Sequence, residues 1–368
     1  MNHLRKFYWA EASNIAVLFA TIVGIGTFAL PYVFKSSGFL ISSIWMLFLG
    51  LGIMLIQYFH FLVLQKTNGV SLLSLVGKYY GKSMEFLAFL AIIFGLILTL
   101  TAYLILAYNF LSLISCSALV WLMIFWALAS LPIFLKSSFF SGLEFLGAVS
   151  LIFLIFIIVI SNSFNFNNLN LISVNFTDIF LPFGVIFFAL AGWTADGAIY
   201  RASKSQSLSQ SSVKRIFILG PILAIIFYFI FVVLALALNI IIVPDFISGI
   251  NWPIYKLVPI IFLGLILIWT SYFPIGLEVK KEMESFRWLK NSAGIIVLFL
   301  PFILYFFGFN FLKIISLVGG IFIALEYVFL ALIIEKLLEL SKIQKLAIQF
   351  LEIVFSLAAL YEIFFLIR

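Results

Sequence analysis

The sequence Gly24-Ile25-Gly26-Thr27-Phe28-Ala29-Leu30-Pro31-Tyr32 interrupts the first long apolar segment of the chain near its midpoint. A second interruption, Phe187-Phe188-Ala189-Leu190-Ala191-Gly192-Trp193, lies near the middle of the sixth apolar segment. Glycine and proline at the centre of a lipid-buried helix would leave backbone groups without hydrogen-bond partners in hydrocarbon, at a cost of several kcal/mol for each group. Broken helices at corresponding positions of two halves are typical of the binding site of a secondary transporter.

The composition places these segments in a membrane. Apolar residues make up 65% of the 368 residues and charged residues only 10%, which is too apolar for a water-soluble globular protein. Runs of about 20 apolar residues, long enough to cross a bilayer, predict eleven transmembrane segments. They lie near 12–35, 38–65, 84–113, 117–136, 142–162, 177–200, 213–240, 256–279, 292–308, 311–334 and 345–367. We therefore expect an all-α integral membrane protein with one transmembrane domain over residues 1–368.

The distribution of basic residues predicts the orientation of the chain. Lys and Arg are concentrated on the side that carries the N-terminus, and cytoplasmic segments retain such residues. We therefore expect a multi-pass protein of the cell membrane, with its N-terminus in the cytoplasm and its C-terminus outside. The same distribution explains the net charge of +7 without a nucleic-acid partner. The single cysteine, Cys116, allows neither an internal disulfide nor a cysteine-based metal cluster, and no cofactor is predicted.

The order of the segments indicates an internal repeat. Segments one to five begin with a broken helix, and segments six to ten begin with another, as expected for two inverted five-helix repeats. The repeats would cover about 12–162 and about 177–334, followed by an eleventh helix at about 345–367.

The stretch from Gly24 to Phe39 resembles the first-helix signature of the amino acid/auxin permease family, which belongs to the amino acid–polyamine–cation superfamily with the LeuT-like fold. Weaker resemblances follow in order at Ala102-Tyr103-Leu104-Ile105, Phe188-Ala189-Leu190-Ala191-Gly192, Trp269-Thr270-Ser271-Tyr272 and Ile315-Ser316-Leu317-Val318-Gly319-Gly320. The resemblance implies a LeuT-like fold with 5+5 inverted repeats and an amino acid as substrate.

The interruptions offer polar groups that suit a zwitterion. Pro31 has no N–H to give the carbonyl of Thr27, and the glycines tolerate unwound geometry. We expect amides around Thr27 to Leu30 to bind a carboxylate, and carbonyls that end the inner half of segment one and the outer half of segment six to bind an ammonium group. A kink used only for helix packing is the alternative. The predicted substrate-binding residues are Gly24, Gly26, Thr27, Phe28, Tyr103, Phe188, Ala189, Ala191, Gly192 and Trp193, among which the resemblance implies that Phe188 is a lid and that Tyr103 faces the pocket.

The resemblance also implies a sodium site between segments one and eight. Its ligands would be the carbonyls of Ala20, Val23 and Leu267 and the hydroxyls of Thr270 and Ser271. Either hydroxyl could instead bond a preceding carbonyl of its own helix. Some proton-coupled members of the superfamily carry a lysine in segment five, and 142–162 contains none.

Two acidic residues give a competing account of coupling. Glu326 lies inside segment ten and Asp196 on the inner half of segment six, where ionisable groups are costly unless they are paired, hydrated or protonated. Either residue could therefore carry a proton. For Asp196 the alternative is a position near Arg201 at the cytoplasmic mouth, and we expect His60 to be interfacial.

These observations predict a secondary active amino acid transporter that works by alternating access as a cation symporter. Na⁺ is the favoured coupling cation, and a proton-coupled permease that uses Glu326 is the alternative. A sensor that binds an amino acid without transporting it would use the same pocket. A membrane-embedded enzyme would need a cluster of acid–base or metal-binding residues, which two histidines and scattered carboxylates do not supply.

Overall fold

The computed structural model describes residues 2–134, 143–161, 164–238, 240–286 and 289–367. Within these ranges the regular secondary structure is helical, apart from an isolated bridge between Phe164 and Leu238. The α-helices of the described part, numbered in chain order, are α1 (Asn2–Ile22), α2 (Leu30–Ser37), α3 (Phe39–Thr67), α4 (Leu72–Tyr80), α5 (Lys82–Ser112), α6 (Ala118–Ser130), α7 (Leu143–Ser161), α8 (Leu181–Leu190), α9 (Asp196–Ser205), α10 (Gln210–Ala237), α11 (Ile254–Glu284), α12 (Ala293–Tyr305), α13 (Phe311–Leu317), α14 (Ala324–Leu337) and α15 (Lys342–Ile367).

Seven helical stretches of the described chain are long and apolar enough to cross a membrane. They are Phe39–Thr67, Lys82–Ser112, Leu181–Ser205, Gln210–Ala237, Ile254–Glu284, Phe311–Leu337 and Lys342–Phe364. An eighth span results if Trp9–Ile22 and Ile25–Ser37, which meet at a bend of 48°, are counted together. The protein is therefore an all-α, multi-pass membrane protein, which confirms the fold class expected from the composition.

Three further apolar helices are shorter: Ala118–Phe134, Val149–Ile160 and Ala293–Tyr305. They coincide with predicted segments four, five and nine. Because a helix usually needs about 20 residues to cross the hydrocarbon core, the count of eleven spans remains a prediction.

The first interruption has a local cause. α1 ends at Ile22, Gly24 is extended (φ −129°, ψ −151°), and a 3₁₀ turn follows over Ile25–Ala29. The amide and the hydroxyl of Thr27 both donate to the carbonyl oxygen of Gly24, at 3.2 and 2.7 Å. Pro31 falls in the first turn of α2, where its missing N–H would have no intrahelical acceptor.

The second interruption separates α8 from α9. α8 ends at Leu190 because Ala191 is extended (φ −66°, ψ 118°) and Gly192 is not helical, and a 3₁₀ turn over Trp193–Ala195 leads into α9. Both interruptions predicted from the sequence are thus present.

A third irregularity lies between α13 and α14, where Val318–Ile323 forms a π-helix. Such wide turns occur mostly as short insertions in α-helices and are frequent at functional sites. Gly319 packs directly on the backbone of Gly184 in α8, where a Cβ atom would collide with the Gly184 carbonyl group. The π-helix therefore lies against the outer half of the second broken helix.

The helices surround the interruptions. α1 packs against α10, α8 and α9 pack against α3, and α7 packs against α11. α5 is the most deeply buried span and contacts α11, α12 and the α13–α14 region. α15 packs on α14 and is largely exposed.

Candidate functional site

The two interrupted helices cross in direct contact. A Cβ atom placed on Gly26 would lie 2.7 Å from the Cα atom and 2.8 Å from the Cβ atom of Ala189. A Cβ atom placed on Gly192 would lie 2.6 Å from Cγ1 of Ile22. Glycine thus allows the Ala189 backbone to approach Gly26 closely, and the Ile22 side chain to approach Gly192 closely.

Tyr228 of α10 joins the two interruptions. Its side chain is fully buried, and its hydroxyl group lies 2.8 Å from the carbonyl oxygen of Ile22 and 2.6 Å from that of Ala189. These carbonyls end the inner half of segment one and the outer half of segment six, the two positions expected to receive an ammonium group. A hydroxyl group has one proton to donate, so it can bond one of these two oxygens fully at a time.

The amide groups at the first interruption differ from the expectation. The Thr27 amide donates to Gly24, and the Leu30 amide donates to Thr27. Because the 3₁₀ turn uses these amides, the ones left without an acceptor among the described residues are those of Gly24, Ile25 and Gly26. A carboxylate-binding surface at this interruption therefore lies before Thr27, earlier in the chain than predicted.

Gln57 of α3 caps the start of the inner half of segment six. In the amide orientation that satisfies both donors, its side-chain oxygen accepts from the backbone amides of Gly192 at 3.3 Å and Trp193 at 3.0 Å. The same end of the amide lies 3.4 Å from the hydroxyl of Tyr327. The side chains of Gln57 and Tyr327 are fully buried. Sequence reasoning missed Gln57 and Tyr228, although each is a polar group inside an apolar span and so needs a partner.

The predicted aromatic residues surround the first interruption. A Cβ atom on Gly24 would lie 3.7 Å from the hydroxyl of Tyr103, and one on Gly26 would lie 3.2 Å from Cδ1 of Phe188. Phe28 packs edge-on against Phe110, with ring centroids 5.4 Å apart. Among the remaining predicted substrate residues, Ala191 and Trp193 are half-buried at the second interruption.

One hydrogen bond joins two residues of the predicted sodium shell. The Thr270 hydroxyl donates to the carbonyl of Leu267 at 3.0 Å, within α11. α1, which carries Ala20, makes little or no contact with α11 among the described residues, and both helices pack on α7. Ser271 is half-buried, and Val23 donates its amide to its own helix at Phe19. A sodium site at these five residues stays a prediction.

The acidic residues lie deep in the protein. Glu326 is 1% exposed, beside the side chain of Trp193, and its Oε2 atom has no hydrogen-bond partner among the described residues. Asp196 is fully buried, and its Oδ2 atom lies 2.7 Å from Nδ1 of His60. His60 was expected to be interfacial; α9 packs against α3 and covers its imidazole, while its depth in the membrane stays a prediction.

A cavity of about 280 Å³ opens at the end of the bundle predicted to be cytoplasmic. Its wall includes His60, Trp193, Arg201, Glu278, Lys281 and Glu282. Of the predicted substrate-binding residues, all of which the structure describes, Trp193 alone lines it. The cavity therefore borders the second interruption at Trp193.

The site thus belongs to a multi-pass helical membrane protein whose two broken helices meet inside the bundle. Comparison of the chain with protein-family models and with curated protein sequences finds no match. Among the described residues, no group of three or more His, Cys, Asp or Glu side chains could hold a metal ion. The chemistry of the interruptions is accordingly the basis for the functional argument.

Proposed function

We propose that the protein is a secondary active amino acid transporter of the cell membrane, a cation symporter that works by alternating access. The observation that carries this proposal is the meeting of two interrupted helices around the Tyr228 hydroxyl. Carbonyls of Ile22 and Ala189 supply negative partial charge there, and the unbonded amides of Ile25 and Gly26 supply positive partial charge nearby. An amino acid carries both complementary charges within a few ångströms.

A LeuT-like fold with 5+5 inverted repeats and an eleventh helix is supported by the pattern of helix contacts. Segment one (α1) packs on segment seven (α10), and segment six (α8 and α9) packs on segment two (α3). Segment five (α7) packs on segment eight (α11), and segment ten (α13 and α14) packs on segment three (α5). If each segment is replaced by the one five places away, the contact between segments one and seven becomes that between six and two. The contact between segments five and eight likewise becomes that between ten and three. Two five-helix repeats require this correspondence.

Alternating access is supported by the difference between the two sides of the crossing. On the side opposite the cavity, Phe28 packs edge-on against Phe110 and Phe231, and Phe231 packs against Phe246. This aromatic layer closes the path to that side, while the cavity reaches Trp193 from the other. The arrangement corresponds to an inward-facing state, if the N-terminus is cytoplasmic as the basic residues predict.

The proton is the better supported coupling cation. Thr270 already bonds its own helix, which reduces the oxygens available to Na⁺, while Glu326 is a buried carboxyl group without a basic partner among the described residues. Buried ionisable groups in membrane spans commonly serve proton transfer. Na⁺ at Ala20, Val23, Leu267, Thr270 and Ser271 is the alternative.

Reconstitution of the purified protein into liposomes tests the proposal. Uptake and counterflow of each common labelled amino acid would be measured with sodium and pH gradients imposed separately. We expect counterflow of at least one amino acid, and accumulation that follows the pH gradient. Saturable binding without any counterflow would identify a sensor instead, and conversion of the label into another compound would identify an enzyme.

A further inference from the structure

His60 and Asp196 form a buried pair between α3 and the inner half of the second broken helix. His60 is 4% exposed and Asp196 is fully buried, and Nδ1 of the imidazole lies 2.7 Å from Oδ2 of the carboxylate. The other polar atoms of the pair, His60 Nε2 and Asp196 Oδ1, have no hydrogen-bond partner among the described residues. A buried polar atom without a partner is costly, so its retention calls for a role.

The contact with Asp196 indicates which ring atom is available for proton binding. An ionised carboxylate only accepts hydrogen bonds, so beside an ionised Asp196 the Nδ1 atom of His60 carries the hydrogen of this contact. In the neutral ring Nε2 is then the basic atom. A proton that binds there creates an imidazolium, which the adjacent carboxylate stabilises through a charge-assisted hydrogen bond.

The position of the pair connects proton binding to the cavity and to the broken helix. His60 borders the inner cavity, together with Trp193 and Gly197 on either side of Asp196 in the chain. Asp196 is the first residue of α9, so the pair attaches the start of this half-helix to α3. Gln57, one helical turn before His60, holds the Gly192 and Trp193 amides of the same interruption.

We propose that Nε2 of His60 is a proton-binding site reached from the inner cavity, and that Asp196 holds the ring in the required tautomer. Proton binding strengthens the attachment of α9 to α3 and so stabilises the present arrangement of these helices, which the proposed function interprets as inward-facing. The link to coupled transport rests on the proposed function, whereas proton binding by the pair does not.

Other charged and titratable groups face this region. From α9 they are Tyr200 and Arg201, from α11 Glu278, Lys281 and Glu282, and from α14 Glu326 and Tyr327. Glu278 pairs with Lys281 at 3.1 Å, and α10 presents apolar Phe217 beside Phe61. Isotope labelling of histidine separates the response of the His60 ring from that of these carboxyl, phenol and basic groups.

Nuclear magnetic resonance of the protein with isotope-labelled histidine tests proton binding directly. The chain has two histidines, so His3→Gln leaves one imidazole signal and serves as the matched control. We expect the His60 ring to be the Nδ1–H tautomer when it is neutral and to gain its second proton on Nε2 as the pH falls. Asp196→Asn should weaken proton binding at least tenfold, because it removes the charged partner. A ring that keeps one protonation state throughout, or a neutral ring that carries its hydrogen on Nε2, would overturn the proposal.

Counterflow in vesicles of one known orientation tests the link to transport. As the pH on the cavity side falls, exchange should slow by about tenfold or more, the effect of one charge-assisted hydrogen bond. His60→Gln, which cannot bind the proton, should remove this pH response, and His3→Gln should keep it. A response that survives in His60→Gln would refute the link. If the His60 ring binds a proton but the protein exchanges no amino acid, the result would support the proton-binding site and reject the transport function.

Discussion

Replacement of Gly26 by alanine should separate the two interrupted helices, whereas the same change at Gly24 should be tolerated. A Cβ atom on Gly26 would lie 2.7 Å from the Cα atom of Ala189, which is backbone and cannot rotate away. A Cβ atom on Gly24 would meet only the Tyr103 hydroxyl, at an ordinary contact distance of 3.7 Å. Gly24 is also extended, a conformation open to any residue.

The size of the effect follows from the packing. An extra methyl group in a closely packed interior costs about 1 to 3 kcal/mol. Because about 1.4 kcal/mol corresponds to a factor of ten, the packed crossing should become roughly 5- to 100-fold less favourable relative to arrangements with the helices apart. If the substrate binds at this crossing, its apparent affinity should fall by a similar factor.

Substrate-dependent thermal stabilisation of the purified protein and the initial rate of counterflow measure this loss. Gly24→Ala is the matched control and should behave as the parent protein. Combining Gly26→Ala with Ala189→Gly removes one of the two close contacts, since the Ala189 Cβ atom lies 2.8 Å from the added carbon, and should recover part of the affinity. Equal substrate affinity in Gly26→Ala and Gly24→Ala would refute the reasoning.

Four further predictions concern the neighbouring residues. Tyr228→Phe removes the donor to two buried carbonyls, which costs about 1 to 3 kcal/mol and should lower the melting temperature of the purified protein; an unchanged melting temperature would count against the bridging role. Phe188→Ala removes a ring that packs beside Gly26 and should change the relative transport rates of different amino acids, while identical kinetics for every substrate would assign the ring to packing alone. Thr270→Ala combined with Ser271→Ala should leave a sodium titration of uptake unchanged, because Thr270 bonds its own helix; a higher sodium requirement would restore the sodium site. Glu326→Gln keeps the shape of the side chain but cannot release a proton, so accumulation driven by a pH gradient should stop while counterflow persists, and unaffected accumulation would exclude this carboxyl group from coupling.

The membrane class and both interruptions could be predicted from the sequence because their signals are local. Apolar composition identifies the spans, and the glycines with Pro31 mark the first break without knowledge of the fold. The partners of the exposed backbone groups could not be predicted in this way. Tyr228 lies 39 residues from Ala189, to which it bonds, and only the packing of α10 brings them together.

The burial of His60 beside Asp196 shows a second limit of sequence reasoning. Lys66 suggested that the membrane boundary was close, and the predicted segment ended at residue 65. α3 extends to Thr67, so His60 lies two turns, about 10 Å, before the end of the helix, and α9 covers it. Likewise, the sequence identifies Thr270 as a hydroxyl in an apolar span but does not reveal that it donates to Leu267.

The π-helix at Val318–Ile323 determines the direction in which the side chains of α14, the second half of segment ten, point. Each residue of an α-helix turns the chain by about 100°, so deletion of one residue from this stretch, which would restore α-helical spacing, rotates everything that follows by that angle. Glu326 is buried beside Trp193, and Tyr327 lies beside Gln57. After the deletion both side chains would turn away from these partners, although neither residue is itself replaced. The extra residue of the π-helix therefore sets the rotation of α14 that places the carboxyl group of Glu326 inside the bundle.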